Sequence, residues 1–261
     1  MGVQPTQSLC KAPQPKPPAG GAPPRRGGKN SGGKPPHRSH QPTRTKHMKK
    51  WITSPDMYRG AARYRIKRAI SNFENNKREF TPLKDSMLHG QGTAVLKRLT
   101  YGTHSLEWCG CELIACANAL KMSGHYMPLP QVIYEFELNR MHYIFPSGYF
   151  GTAPRKMTRF FDYHDIPYDK FDKASELEEH LSGMDSACGI LSFWNRTRES
   201  CKLFPLQFFT KGLHTVAFEK HHSKIYVYNR RNGAESASVY GDISEVYADR
   251  RFITGFVFER K

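Results

Sequence analysis

The sequence predicts an α+β fold, and three observations carry that prediction. Helical patterns fill the middle of the chain, alternating apolar and β-branched runs fill its last third, and neither an internal repeat nor a regular strand-helix-strand alternation joins the two. A helical first half is therefore expected to pack on an antiparallel sheet made by the second half.

The chain divides into three expected regions: a basic Pro/Gly-rich tail over residues 1–53, a basic helical segment over 54–82, and a folded domain over 83–261. The tail has almost no apolar residue to bury and is expected to be disordered. Of the 40 Lys and Arg, 11 fall in residues 1–50, together with none of the 23 Asp and Glu. The formal net charge of +17 is therefore largely a property of the tail, and it does not by itself direct the folded part toward nucleic acid. Met1-Gly2-Val3-Gln4-Pro5-Thr6 fits the loose N-myristoylation pattern, for which a basic tail would be the second membrane signal. No apolar run reaches the ~18 residues of a transmembrane helix and no secretory signal core is evident, so a cytoplasmic protein is expected. The six cysteines, Cys10, Cys109, Cys111, Cys116, Cys188 and Cys201, lack the density of a secreted disulfide scaffold and are read as free thiols.

Ser54-Pro55-Asp56 forms a helix entry, and residues 57–80 follow as a basic, partly amphipathic helix with Tyr64, Ile66, Ile70 and Phe73 as its apolar members, ended by Pro82. Residues 111–122 carry a strong helical pattern, with Leu113, Ile114, Ala117 and Leu120 as the buried stripe and Gly124 just past its end. Its Ala and Cys content marks it as central. Further helices are expected over 131–140, opened by Pro130, and over 155–163, after a Gly-containing loop at 147–154. A short acidic helix is expected over 174–181. Strands are expected over 189–194, 214–220, 224–228 and 253–259.

A cysteine in the first turn of a buried helix faces unpaired main-chain N–H groups and the positive end of the helix dipole, which favour the thiolate. Cys111 stands there, after the glycine-bearing turn Trp108-Cys109-Gly110. Cys109 shares the turn and stays open as the rival nucleophile. A thiol nucleophile needs a base within hydrogen-bond reach and a third group to orient that base. His214 opens one expected strand and Asn229 closes the next, and antiparallel pairing brings the start of one strand beside the end of its neighbour. Asn232, in the turn-forming Asn232-Gly233, is the alternative third member. His221 and His222 are read as solvated turn residues, and Cys116, Cys188 and Cys201 as small buried hydrophobes. The lone Cys109/Cys111 pair lacks a matching second pair, so no metal and no cofactor is expected.

The order Cys111, His214, Asn229, the helix Cys111-Glu112-Leu113-Ile114-Ala115-Cys116-Ala117-Asn118-Ala119-Leu120 and the loop at 148–154 resemble the papain-like cysteine peptidase superfamily. Among its members the chain looks most like bacterial domains related to double-glycine leader peptidases, of the bacteriocin-processing kind. The resemblance covers residues 83–261. It implies a papain-like fold, a Cys-His-Asn triad, and a thiol hydrolase acting on peptide or isopeptide bonds. About six residues before the nucleophile that superfamily usually carries a Gln that helps bind the oxyanion; here the position is Ser105, and the nearest Gln is Gln91. Ser105, His104 and Asn118 are the candidate donors. The same acyl-enzyme would serve amide or thioester transfer. A catalytically inactive papain-like binding module, using its basic tail on an acidic partner or anionic surface, is the alternative of a different class.

Overall fold

The computed structural model describes residues 59–80, 86–141, 151–197 and 212–260, all within one compact unit spanning residues 45–261. The tail and its lipidation pattern, the helix entry at 54–56, the boundary at 83, residues 147–150 of the loop, Cys10 and Cys201 lie outside the described residues. The fold is α+β with an antiparallel sheet, as the sequence pattern predicts. Among the described residues no helix is long and apolar enough to cross a membrane.

Helix α1 (Arg59–Phe80) leads the described chain. It docks mainly on α4 (Leu129–Leu138), and the docking departs from the apolar stripe expected of it. Tyr64, Ile66 and Ile70 are exposed, and only Phe73 of the four apolar members meets an aromatic partner, Tyr134, with ring centroids 5.1 Å apart. Side-chain amides replace the stripe. Asn76 exchanges hydrogen bonds with the main chain of Thr100 in both directions, at 2.8 and 2.9 Å. Asn72 donates to the Gly102 carbonyl and to Glu137, whose carboxylate also accepts from the Gly102 N–H. These amides satisfy the hairpin of β1 (Thr100–Tyr101) and β2 (His104–Ser105), two strands too short to be recognised by alternation.

A single turn, α2 (Leu106–Cys109), leads into α3 (Cys111–Met122), whose limits match the sequence expectation. Every α3 residue from Cys111 to Leu120 is buried, because α4 covers one side and the sheet the other. The helix α5 (Met157–Tyr163) closes the helical layer with Phe160 and Phe161 against Phe136, Phe256 and Phe258.

The six-stranded sheet comprises β3 (Tyr168–Phe171), β4 (Ser186–Thr197), β5 (Leu213–His221), β6 (Lys224–Tyr228), β7 (Ser238–Tyr240) and β8 (Arg250–Phe258), in the order β3-β8-β4-β5-β6-β7 with every neighbouring pair antiparallel. The last strand in sequence sits between the first two, so β4 is central and buried on both faces. Alternation then divides its side chains. Cys188 and Ile190 join the core under α3, while Leu191, Phe193 and the β5 residues Val216 and Phe218 join a second core on the other face. That second face is covered by α6 (Ala174–Ser182) and by α7 (Ile243–Tyr247), the latter N-capped by the Asp242 carboxylate on the Ser244 N–H. The edge strands β3 and β7 and the helix α7 have no counterpart in the sequence reading.

Gly189 in β4 marks how closely the second core meets the sheet. A Cβ there would lie 2.2 Å from the Phe256 carbonyl oxygen and 2.6 Å from the Phe218 ring. Gly189→Ala is expected to destabilise the fold by about 2–3 kcal/mol, the scale of core overpacking, read by urea denaturation. A loss under about 0.5 kcal/mol would mean that the sheet yields freely at this point.

Candidate active site

The start of α3 is a buried polar cluster centred on Glu112. Its carboxylate accepts from the Cys111 thiol at 3.2 Å and the Thr215 hydroxyl at 3.4 Å, and from the main-chain N–H groups of Glu112 itself and Thr152. Gly151 lets the 151–152 turn close on it: its φ of +71° suits glycine, and its Cβ position lies 3.4 Å from Glu112 Oε2. Burial raises the Glu112 pKa to about 7 despite these four donors. The cluster extends outward through Thr215 to Ser192, hydroxyl to hydroxyl at 2.9 Å.

This environment holds Cys111 as a neutral thiol. It is 8% exposed, and burial first, then the adjacent Glu112 charge, push its pKa well above the ordinary thiol value; the Thr215 N–H, directed at the sulfur, acts in the opposite sense. The helix N-terminus expected to favour the thiolate is thus outweighed by burial, with the carboxylate on the next residue adding to it. Cys109 is also buried, donating to the carbonyls of Ser105 at 3.4 Å and Tyr101 at 3.8 Å, and is pushed up to about 12 by burial, Glu112 and Glu137.

His214 lies close to this cluster along the chain but leaves the sheet on the opposite face. Ser192 pairs with Thr215 on the α3 face; the next cross-strand pair is Phe193 and His214, whose rings meet edge to face at 5.9 Å in the second core. Cys111 and His214 therefore share no hydrogen bond, and the sulfur instead meets the N–H of the residue after His214. The His214 Nε2 lies 2.7 Å from the Asn229 carbonyl oxygen. Since a carbonyl only accepts, the proton is on Nε2 and Nδ1 keeps its lone pair. Burial, with Arg230 and Arg250 nearby, lowers the His214 pKa to about 4, against the Asn229 and Arg230 main-chain contacts, so the ring is neutral at pH 7.

His214 and Asn229 are brought together as the hairpin argument expects, but through the Asn229 main chain. Asn229 is fully buried with φ +61°, a conformation that asparagine tolerates. Its side chain is engaged by Gln91: Oδ1 accepts from the Gln91 N–H at 2.9 Å and Nδ2 donates to Gln91 Oε1 at 3.1 Å, while Gln91 Nε2 donates to the Glu107 carbonyl at 2.6 Å. Asn118 is likewise engaged, exchanging hydrogen bonds with the Leu88 main chain at 2.7 and 2.9 Å. Ser105 sits at the N-cap of α2 and makes no capping bond with its side chain, and His104 pairs with Tyr101 across the β1–β2 hairpin. Asn232 is exposed in the turn, its carbonyl accepting from the Gly92 N–H. Among the described residues no group of three or more His, Cys, Asp or Glu is placed to hold a metal ion.

Glu112 escaped the sequence reading, and Gln91 entered it only as the nearest Gln to the Ser105 position, not as a partner of Asn229. Glu112 reads as an ordinary first-turn acid, and its signal was burial: it and Asn118 are the polar residues of an otherwise apolar run. Gln91 lies 138 residues from its partner Asn229 and carried no local signal. The chain matches no protein-family model and none of the curated proteins with which it was compared.

The two titratable groups oppose each other in pH. Glu112 binds its proton more tightly when folded, so its contribution to stability is fully present below its ordinary value of 4.5 and is lost as pH rises through about 7. His214 binds its proton less tightly when folded, so its contribution is present above 6.5 and is lost as pH falls through about 4. Glu112→Gln should therefore gain stability relative to the parent between pH 5 and pH 8, by at most about 3 kcal/mol. Urea denaturation at the two pH values measures it, and a parent-to-variant difference that does not change with pH would show that the carboxylate does not titrate in this window.

Proposed function

We propose that the protein is a thiol-dependent hydrolase of the papain-like type, acting on an amide bond of a peptide or protein through Cys111, with His214 as base and Asn229 as its orienter. The observation that carries this reading is the placement of the Cys111 sulfur against the Thr215 N–H, one residue from an imidazole whose Nε2 proton is fixed on the Asn229 carbonyl. That tautomer leaves the Nδ1 lone pair to take the thiol proton. In the reaction the sulfur attacks the carbonyl carbon as His214 removes its proton. The imidazolium then returns the proton to the leaving amine, and water cleaves the resulting thioester. Transfer of the acyl group to another amine would use the same intermediate.

The described arrangement is a resting form in this reading. The thiol must exchange Glu112 for Nδ1, which requires the start of β5 and the Asn229 turn to rearrange together so that the imidazole, still held by the Asn229 carbonyl, reaches the α3 face. Glu112 is accordingly a restraining group: it keeps the sulfur neutral until a substrate displaces the contact.

Iodoacetamide labelling followed by peptide mapping tests the assignment. Label should appear on Cys111, vanish in Cys111→Ala and persist in Cys109→Ala, and peptide turnover should vanish in Cys111→Ala and His214→Ala. Label or turnover indifferent to Cys111→Ala would refute it. Removing the restraining charge in Glu112→Gln should speed Cys111 alkylation about tenfold at pH 8, equivalent to one pKa unit.

The burial of Cys111 and its bond to Glu112 favour a second reading, a papain-like fold that binds peptides without cleaving them. It predicts that Cys111 stays unlabelled in both the parent and Glu112→Gln, and that Cys111→Ala leaves ligand affinity unchanged.

A further inference from the structure

At the His214 end of the sheet, on the face away from α3, two cations meet one ring. The Arg230 guanidinium lies 5.4 Å and that of Arg250 6.0 Å from the centroid of Phe193, which also holds His214 against its edge. Arg230 stands two residues past the end of β6, Arg250 opens β8, and Phe193 is the β4 residue paired with both His214 and Phe252, so three strands converge here. Phe193 is fully buried and both arginines are partly buried.

Among the described residues nothing compensates their charge. The Nε of each arginine is buried without a hydrogen-bond partner, and among the described residues no carboxylate pairs with either guanidinium. Arg230 has the Tyr240 hydroxyl as a neutral side-chain partner. Burial first, and the charge of Arg250 among the other causes, lower its proton affinity. Cation–π contact with Phe193 gives each guanidinium a weak attraction. It does not neutralise two like charges on partly buried side chains.

We propose that Arg230, Arg250 and Phe193 form a binding site for an oxyanion, a carboxylate or phosphate group, beside His214. Two guanidinium groups held at one aromatic ring suit such a group, since each guanidinium can give an oxyanion two parallel N–H donors. The anion supplies the missing countercharge, and its carrier is thereby fixed next to the His214 imidazole. The site stands on its own geometry and does not require Cys111 to be reactive.

Calorimetric titration of the full chain with inorganic phosphate, and separately with succinate, at constant ionic strength tests the assignment. At least one of the two should bind saturably at one site, and Arg230→Met and Arg250→Met should each weaken it at least tenfold. The exposed Lys97→Met should leave binding unchanged. Arg230→Lys and Arg250→Lys keep the charge but remove the planar fork, and they should weaken binding even if the methionine variants fail to fold. Saturation by phosphate alone assigns a phosphate ester, by succinate alone a carboxylate, and by both a general oxyanion site. Heats that do not saturate with either probe, or saturable binding that all four arginine variants leave intact, would overturn the proposal.

Discussion

A helix enclosed on every side cannot turn a polar side chain to water, and α3 is such a helix over its first ten residues. Its two buried polar members must find partners inside the protein or be left unsatisfied at a few kcal/mol each. Asn118 finds the Leu88 main chain and Glu112 finds the 151–152 turn, Cys111 and Thr215. These two demands fix where the segments on either side of α3 can run. They bring the 86–92 segment across one side of the helix and the 151–152 turn over its start, and so determine the surroundings of the sulfur.

The 86–92 segment carries this ordering across to the sheet. After Leu88 is held on α3, Gly90 and Gly92 donate to the carbonyls of Ala234 and Asn232, and Gln91 takes both ends of the Asn229 amide. A stretch without regular secondary structure thus joins α3 to the turn that follows β6. Its hydrogen bonds are long-range in sequence, so they form only once both layers are in place. The Asn229 carbonyl is then aimed at His214 by the same contacts that hold its side chain. Gln91 therefore acts on the imidazole at second hand, through the orientation of the Asn229 peptide.

Local periodicity made much of this fold legible. The α3 limits, the β5–β6 hairpin and the approach of His214 to Asn229 all follow from apolar spacing and strand pairing, which act over a few residues. What escaped was set by contacts between distant segments. The α1 docking face depends on Asn72 and Asn76, which look like surface residues until their carbonyl partners on the β1–β2 hairpin are known. The insertion of β8 between β3 and β4 is a matter of topology, and topology also decides that Phe193 meets Arg250. At Cys111 the expectation rested on the helix N-terminus, and burial together with the neighbouring carboxylate is the stronger influence. A partial charge at a helix end shifts a titration modestly, whereas a full charge in contact, added to desolvation, shifts it by several units.

The sheet consequently separates two opposite electrostatic settings by the thickness of one strand. On the α3 face, a carboxylate and a thiol share hydroxyl and N–H donors; on the other, two guanidiniums lie against one aromatic ring. His214 and Thr215, adjacent in β5, face these two settings respectively. Burial, reinforced by the arginines, suppresses protonation of the imidazole, and burial, reinforced by Glu112, suppresses ionisation of the thiol, so both candidate reacting groups are held neutral. A neutral pair is the correct starting state for a base-assisted thiol attack, provided the transfer that creates the ion pair is accompanied by a change in the field around it. An anion placed between Arg230 and Arg250 would provide that change on the imidazole side. It would raise the proton affinity of His214 without altering any contact of Cys111, and so couple occupancy of the cationic face to the chemistry proposed on the other.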